Sequence, residues 1–109
     1  MKVGLVTDVG GLNDRGFNHL SYVGLQQAAR QLGVGTAVFQ SKSTSEYIPN
    51  LSTFARQGKD LTIGVGFTEA QAIDTAATRF PDSNFAIVDV DWKTAVPTPS
   101  WRAACCKPT

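Results

Sequence analysis

Long apolar runs are missing from this 109-residue chain, and no segment approaches the roughly 20 residues that a bilayer-spanning helix needs. Charge of one sign is missing too. Ten Lys plus Arg stand against nine Asp plus Glu, scattered among each other, for a formal net charge of +1. That distribution offers no electrostatic footprint for nucleic acid or an anionic membrane surface. Cysteine is confined to the adjacent pair Cys105 and Cys106, which forms neither a disulfide framework nor a zinc-ligand spacing. Histidine occurs once, at His19, with no serine or cysteine placed to use it as a base, so a solvated or packing role is expected. No G-x-S-x-G elbow is present either. The chain is therefore expected to hold no catalytic residues and no metal, and to be no enzyme.

Phosphate-binding signatures are also lacking. Gly10, Gly11 and Gly16 miss the G-x-G-x-x-G positions, Gly64-Val65-Gly66 lacks a third glycine, and there is no Walker lysine. A phosphoacceptor receiver domain would place an aspartate after the third strand, where this chain has Gly66-Phe67. No cofactor is expected. The opening Met1 to Asp8 is too short an apolar stretch, and too soon acidic, for a secretory signal, so no export signal is expected in it.

What is present is an alternation. Lys2 to Thr7, Gly35 to Gln40, Asp60 to Val65 and Asn84 to Val88 are short runs rich in Val, Ile, Leu and Phe, each bounded by turn-forming residues. Between the first two, Asn13 or Asp14 can cap a helix from about Asp14 to Leu32. Its Phe17, Leu20, Gly24, Ala28 and Leu32 recur at spacings of three and four, and Gly33 takes the C-terminal left-handed position. Ser45 can cap a second helix that tolerates Pro49 in its first turn and stops at Gly58, and Glu69 to Arg79 forms a third. The order β-α-β-α-β-α-β, with continuous apolar strands, predicts a three-layer α/β domain: a parallel sheet of order 2-1-3-4 with helices on both faces. The region of residues 1–92 reads as one folded unit. Residues 93–109, broken by Pro97, Pro99 and Pro108, read as an irregular tail.

In such a sheet, ligands bind outside the carboxyl ends of the strands where the order reverses. The loops Asp8 to Asn13 and Gly66 to Glu69 then flank one crevice, with Asp89 on the next strand. Strand spacing puts its carboxylate about 10 Å from that of Asp8. The first loop gathers two carboxylates, two carboxamides and an aromatic at a helix N-terminus. Asp8 and Asp14 would repel a phosphate while accepting hydrogen bonds, which favours a neutral, donor-rich ligand. The same residues also fit a plain helix cap and a glycine turn. Phe17 could stack on a planar ring, but burial tendencies favour a place in the core. Asp89 taken alone fits an ordinary solvated strand end.

The stretch GLVTDVGGLNDRGFNHLSYVGLQQAARQLGV, the block SKSTSEYIPNLSTFARQGKDLTIGVGF and the segment FPDSNFAIVDV resemble the basic membrane protein (BMP) family of substrate-binding lipoproteins, whose best understood members are purine-nucleoside receptors of ABC importers. The resemblance runs from about Lys2 to Val96, nearly all of this chain but about the first third of a family member. It implies the type I periplasmic-binding fold, two α/β lobes closing on a nucleoside, with this chain as the N-terminal portion of lobe one. It implies ligand hydrogen bonds from Asp8 and from Asn13 or Asp14, stacking of Phe17 on the base, and a base contact from Asp89. Asn18, Gly66 and Phe67 would line the same wall. The implied parent protein is extracytoplasmic and lipid-anchored, delivers its ligand to an ABC transporter permease, and performs no chemistry.

Family members continue into a second lobe, whereas this chain ends in Trp101 to Thr109. A frameshift is the expectation for that ending: codons for Gly-Leu-Leu such as GGC-CTG-CTG, read one base out of register, would yield GCC-TGC-TGT, coding the Ala-Cys-Cys of Ala104 to Cys106. Such a chain is expected to bind a nucleoside weakly or not at all, and an uncovered lobe surface could drive self-association. A ligand-sensing regulatory domain of the same fold is the alternative; an attached DNA-binding segment would mark it, and none is seen.

Overall fold

The computed structural model describes residues 1–11 and 16–88. Four strands, β1 (Lys2–Thr7), β2 (Gly35–Gln40), β3 (Leu61–Val65) and β4 (Phe85–Val88), alternate with three helices, α1 (Phe17–Leu32), α2 (Tyr47–Arg56) and α3 (Ala70–Arg79). All pairings are parallel and the sheet order is β2-β1-β3-β4, as expected from the alternation. Single 3₁₀ turns, Thr44–Glu46 and Phe67–Glu69, lead into α2 and α3.

Strand β1 is central, and Val3 through Thr7 are buried on both faces. Its side chains divide by parity between two cores. Val3 and Leu5 join Leu25 of α1 and Val65, while Val6 joins Leu51 and Phe54 of α2 and Ile73 of α3. Full burial of Leu5 and Val6 stabilises the fold by about 1.5–3 kcal/mol each. Gly4 is a place of close approach: a Cβ there would stand 2.6 Å from the ring of Phe54, which stacks on Phe39 with centroids 4.6 Å apart. The face carrying α1 is only partly covered. A groove of about 360 Å³ runs along it, lined by Val3, Leu5, Leu25, Leu61, Ile63 and Val88 among others.

The helix details differ from the sequence reading in three respects. First, α1 starts at Phe17 with Gly16 in the capping position and no side-chain cap, so neither Asn13 nor Asp14 is the residue next to its first turn. Second, its buried residues are Asn18 and Leu25, not the stripe Phe17, Leu20, Gly24, Ala28, Leu32; Phe17, Leu20 and Leu32 are exposed. Asn18 is buried by its hydrogen bonds to Asp8 at the end of β1, while Gly24, Ala28 and Leu32 line the groove between α1 and the sheet. Third, Ser45 sits inside the 3₁₀ turn instead of capping α2, and Ser43 precedes that turn. Pro49 falls in the first turn of α2, and Gly33 closes α1 at φ 69°, both as expected.

Candidate functional site

The carboxyl edge of the sheet is built around Asp8, the first residue beyond β1. Its Oδ1 accepts hydrogen bonds from the backbone N–H of Gly10 at 2.9 Å and from Nδ2 of Asn18 at 2.5 Å. Asn18 returns the contact, accepting the Asp8 backbone N–H at Oδ1 over 3.3 Å. This reciprocal pair fixes the start of α1 against the end of β1, and it buries the Asn18 side chain to 1% exposure. A buried carboxamide is stable only with its polar atoms paired, which the aspartate supplies.

The other carboxylate oxygen, Oδ2, has no hydrogen-bond partner among the described residues and leans over the backbone of Gly66. A Cβ on Gly66 would stand 2.5 Å from that oxygen, and the residue has φ 94°, a region L side chains rarely adopt. Two independent requirements therefore select glycine at this position. The Gly66 N–H donates to the carbonyl of Val88 at 2.9 Å, holding the loop to the end of β4.

Two of the residues that contact Asp8, Asn18 and Gly66, each have an exposed aromatic beside them in the chain. Phe17 precedes Asn18 and is 56% exposed; Phe67 follows Gly66 and is 69% exposed. The core placement favoured for Phe17 by burial tendencies does not occur. A solvent-facing position is open because the first turn of α1 sits above the strand ends, where Asn18 takes the inward direction. His19 is exposed, in keeping with a surface role. Asn13, Asp14 and Asp89, together with the tail 93–109, lie outside the described residues. Of the eight sequence-derived candidates, Asp8, Asn18 and Gly66 are brought into mutual contact through Asp8, and Phe17 and Phe67 flank them in the chain.

Two residues of this edge were not singled out from the sequence. Tyr47, at the start of α2, is almost fully buried, yet its hydroxyl accepts the Val9 N–H at 3.2 Å and pairs with Thr68 Oγ1 at 3.1 Å. It ties the loop after β1 to the loop after β3. The signal was the strand order itself, since a helix joining β2 to β3 must pass over β1. Glu69 ends the 3₁₀ turn, is fully buried, and accepts the Val65 N–H at Oε2 over 2.9 Å. Burial pushes its carboxyl from 4.5 up to about 8; the Val65 N–H acts against the rise and the nearby Asp8 adds to it. An acidic residue before a helix reads from sequence as an exposed first-turn residue, so nothing in the pattern marked it as buried. Among the described residues, no group of three His, Cys, Asp or Glu is placed to hold a metal ion.

Known proteins share this architecture. Residues 1–96 match the family model described as ABC transporter substrate-binding protein, PnrA-like. The chain is 41% identical over 93 residues to the ABC transporter nucleoside-binding protein BmpA of Lactococcus lactis, covering 82% of this chain and 26% of that protein. It is 34% identical over 90 residues to an uncharacterized lipoprotein of Pyrococcus furiosus, covering 82% and 23% of the two chains. An ABC transporter solute-binding protein of Aeropyrum pernix, solved by crystallography, superposes with a TM-score of 0.76 at 30% identity, covering 84% of this chain and 25% of that one. The chain thus spans about a quarter of the length of the relatives it matches. With a family model covering nearly all of its length, it belongs to the PnrA-like family of ABC transporter substrate-binding proteins.

Proposed function

We propose that this chain forms one wall of a nucleoside site, the N-terminal portion of lobe one of an extracytoplasmic, lipid-anchored binding protein that hands its ligand to an ABC transporter permease. The observation that carries the reading is the Oδ2 of Asp8, unpartnered among the described residues and set over the Gly66 backbone, with exposed Phe17 and Phe67 beside its two contacts. A fixed acceptor near exposed rings suits a planar, uncharged molecule that donates hydrogen bonds. A phosphate group is disfavoured next to the aspartate. The nucleoside-binding description of the Lactococcus lactis relative supports the same ligand class, and the lipoprotein description of the Pyrococcus furiosus relative supports the location.

Asn13, Asp14 and Asp89 remain in this proposal as further polar contacts to the ligand. Capture and closure, not bond chemistry, are the proposed mechanism: Asp8 orients the ligand, the aromatic rings cover its faces, and the rest of the parent protein supplies the opposing wall. One wall alone leaves the ligand half solvated, so its hydrogen bonds compete with water and contribute little. Isothermal titration of this chain with guanosine, adenosine and inosine, with ribose and adenosine monophosphate as controls, tests the reading. Weak binding of the nucleosides and weaker binding of both controls is expected. Submicromolar affinity, or a preference for the monophosphate over adenosine, contradicts it.

A further inference from the structure

The pairing of β1 with β3 stops at Val6 and Gly64, while β1 continues beside β2 to Thr7 and Gln40, and β3 continues beside β4 to Val65 and Val88. The two central strands therefore diverge a single residue before either loses its outer neighbour. That divergence opens the crevice just beyond the Val65 N–H, which faces Val6, the last residue of β1 paired with β3. The Glu69 carboxyl reaches that N–H, its Oε2 accepting it at 2.9 Å while its own backbone N–H donates to the Gly66 carbonyl at 3.1 Å. One residue thus closes a loop around Gly66 from both sides. Its remaining oxygen, Oε1, is buried and has no hydrogen-bond partner among the described residues. Glycine at residue 64 makes room for Ile73, whose Cδ1 would stand 2.5 Å from a Cβ there, and Oε1 lies 3.4 Å from the same point.

We propose that Glu69 is a positioning residue of the crevice: its buried carboxyl, bonded to the Val65 N–H where β1 and β3 part, holds the Gly66 backbone against Asp8. The inference rests on the nucleoside reading only in that the same crevice is meant. The surroundings hold that carboxyl in its neutral form. The side chain is fully buried beside Ile73, no cation is among the groups that act on its charge, and Asp8 on the loop after β1 is the charged group that does. Among the described residues, Tyr47 of α2 also lies at this edge, its hydroxyl engaged with Val9 and Thr68. Ionisation of Glu69 would bring a second carboxylate under Asp8 and push apart the two loops that Gly66 and Asp8 join.

The test needs no ligand. Amide nitrogen–proton spectra of the chain are recorded from pH 5 to 9.5, together with amide exchange in Glu69→Gln and Glu69→Ala. The Val65 signal is expected to titrate with a midpoint near 8, with Gly66 and Asp8 following the same midpoint. In Glu69→Gln that step disappears while Val65 stays protected; in Glu69→Ala its exchange speeds by about tenfold, the loss of one hydrogen bond. A midpoint near 4.5, a Val65 step unaccompanied by Asp8 and Gly66, or equal protection in both variants overturns the proposal. The wild-type titration stands even where a variant fails to fold. Absence of nucleoside binding alongside the expected titration would remove the ligand reading and leave this one intact.

Discussion

Asp8 and Gly66 are packed so closely that the aspartate Oδ2 lies 2.5 Å from where a Cβ on residue 66 would stand. The carboxylate occupies the space a side chain would have filled. Through that contact the loop after β1 and the loop after β3 become one surface, although the strands beneath them have already diverged. Substitution of Gly66 by alanine meets both the positive φ and the oxygen. A loss of about 2–4 kcal/mol of stability is expected in urea unfolding. In the double variant with Asp8→Ala the clash is relieved, so the two effects should fall short of additive by about 1 kcal/mol.

Asn18 serves the same edge from the other side. Replacing it with leucine keeps the bulk but strands the Asp8 backbone N–H and removes one donor from Oδ1. The expected cost is about 1–3 kcal/mol, greater than for a typical surface change, read from the same unfolding experiment. Stability equal to wild type would mean that water satisfies the pair as well as Asn18 does.

Phe17 and Phe67 carry the opposite expectation. Both rings are more than half exposed, so alanine at either position should alter stability by less than about 0.5 kcal/mol. Nucleoside affinity should nevertheless fall by about fivefold or more, the loss of one stacking contact. Titration calorimetry on folded variants separates the two readouts.

The buried Glu69 makes stability depend on pH in a direction unusual for a carboxylate. Its folded value, about 8, lies above the ordinary 4.5, so between those limits the native state holds a proton that the unfolded chain has released. Its contribution is fully present below 4.5 and is lost as pH rises through 8, at on the order of 1 kcal/mol per pH unit in that window. Unfolding free energies of wild type minus Glu69→Gln, measured across the window, should fall with increasing pH. A flat or rising difference contradicts the assignment.

The backbone plan was legible because the apolar strands and helix-forming segments alternate without interruption, and the doubly wound class that this alternation implies carries the strand order 2-1-3-4. Strand ends came within one residue, as Leu61 and Phe85 begin β3 and β4 next to the expected Asp60 and Asn84. The inward face of α1 was not legible. Leu20 and Leu32 look like core residues in a periodicity count, yet both are exposed, and the buried residues of α1 are Leu25 and a polar one, Asn18, bonded to Asp8. Periodicity weighs hydrophobicity and cannot see a buried polar pair. Gly66 and Asp8 were singled out by their place at the strand ends, while Tyr47 and Glu69 act through contacts between distant segments or through burial. Neither property is written in local sequence.

The central claim is that the surface joining Asp8 and Gly66 receives an uncharged nucleoside. Amide shift mapping of the chain with millimolar inosine tests it directly. Changes concentrated at Asp8, Phe17, Asn18, Gly66 and Phe67, and lost in Asp8→Ala, are the predicted result. Changes centred on the apolar groove beneath α1, or a pattern unaltered by Asp8→Ala, would contradict it.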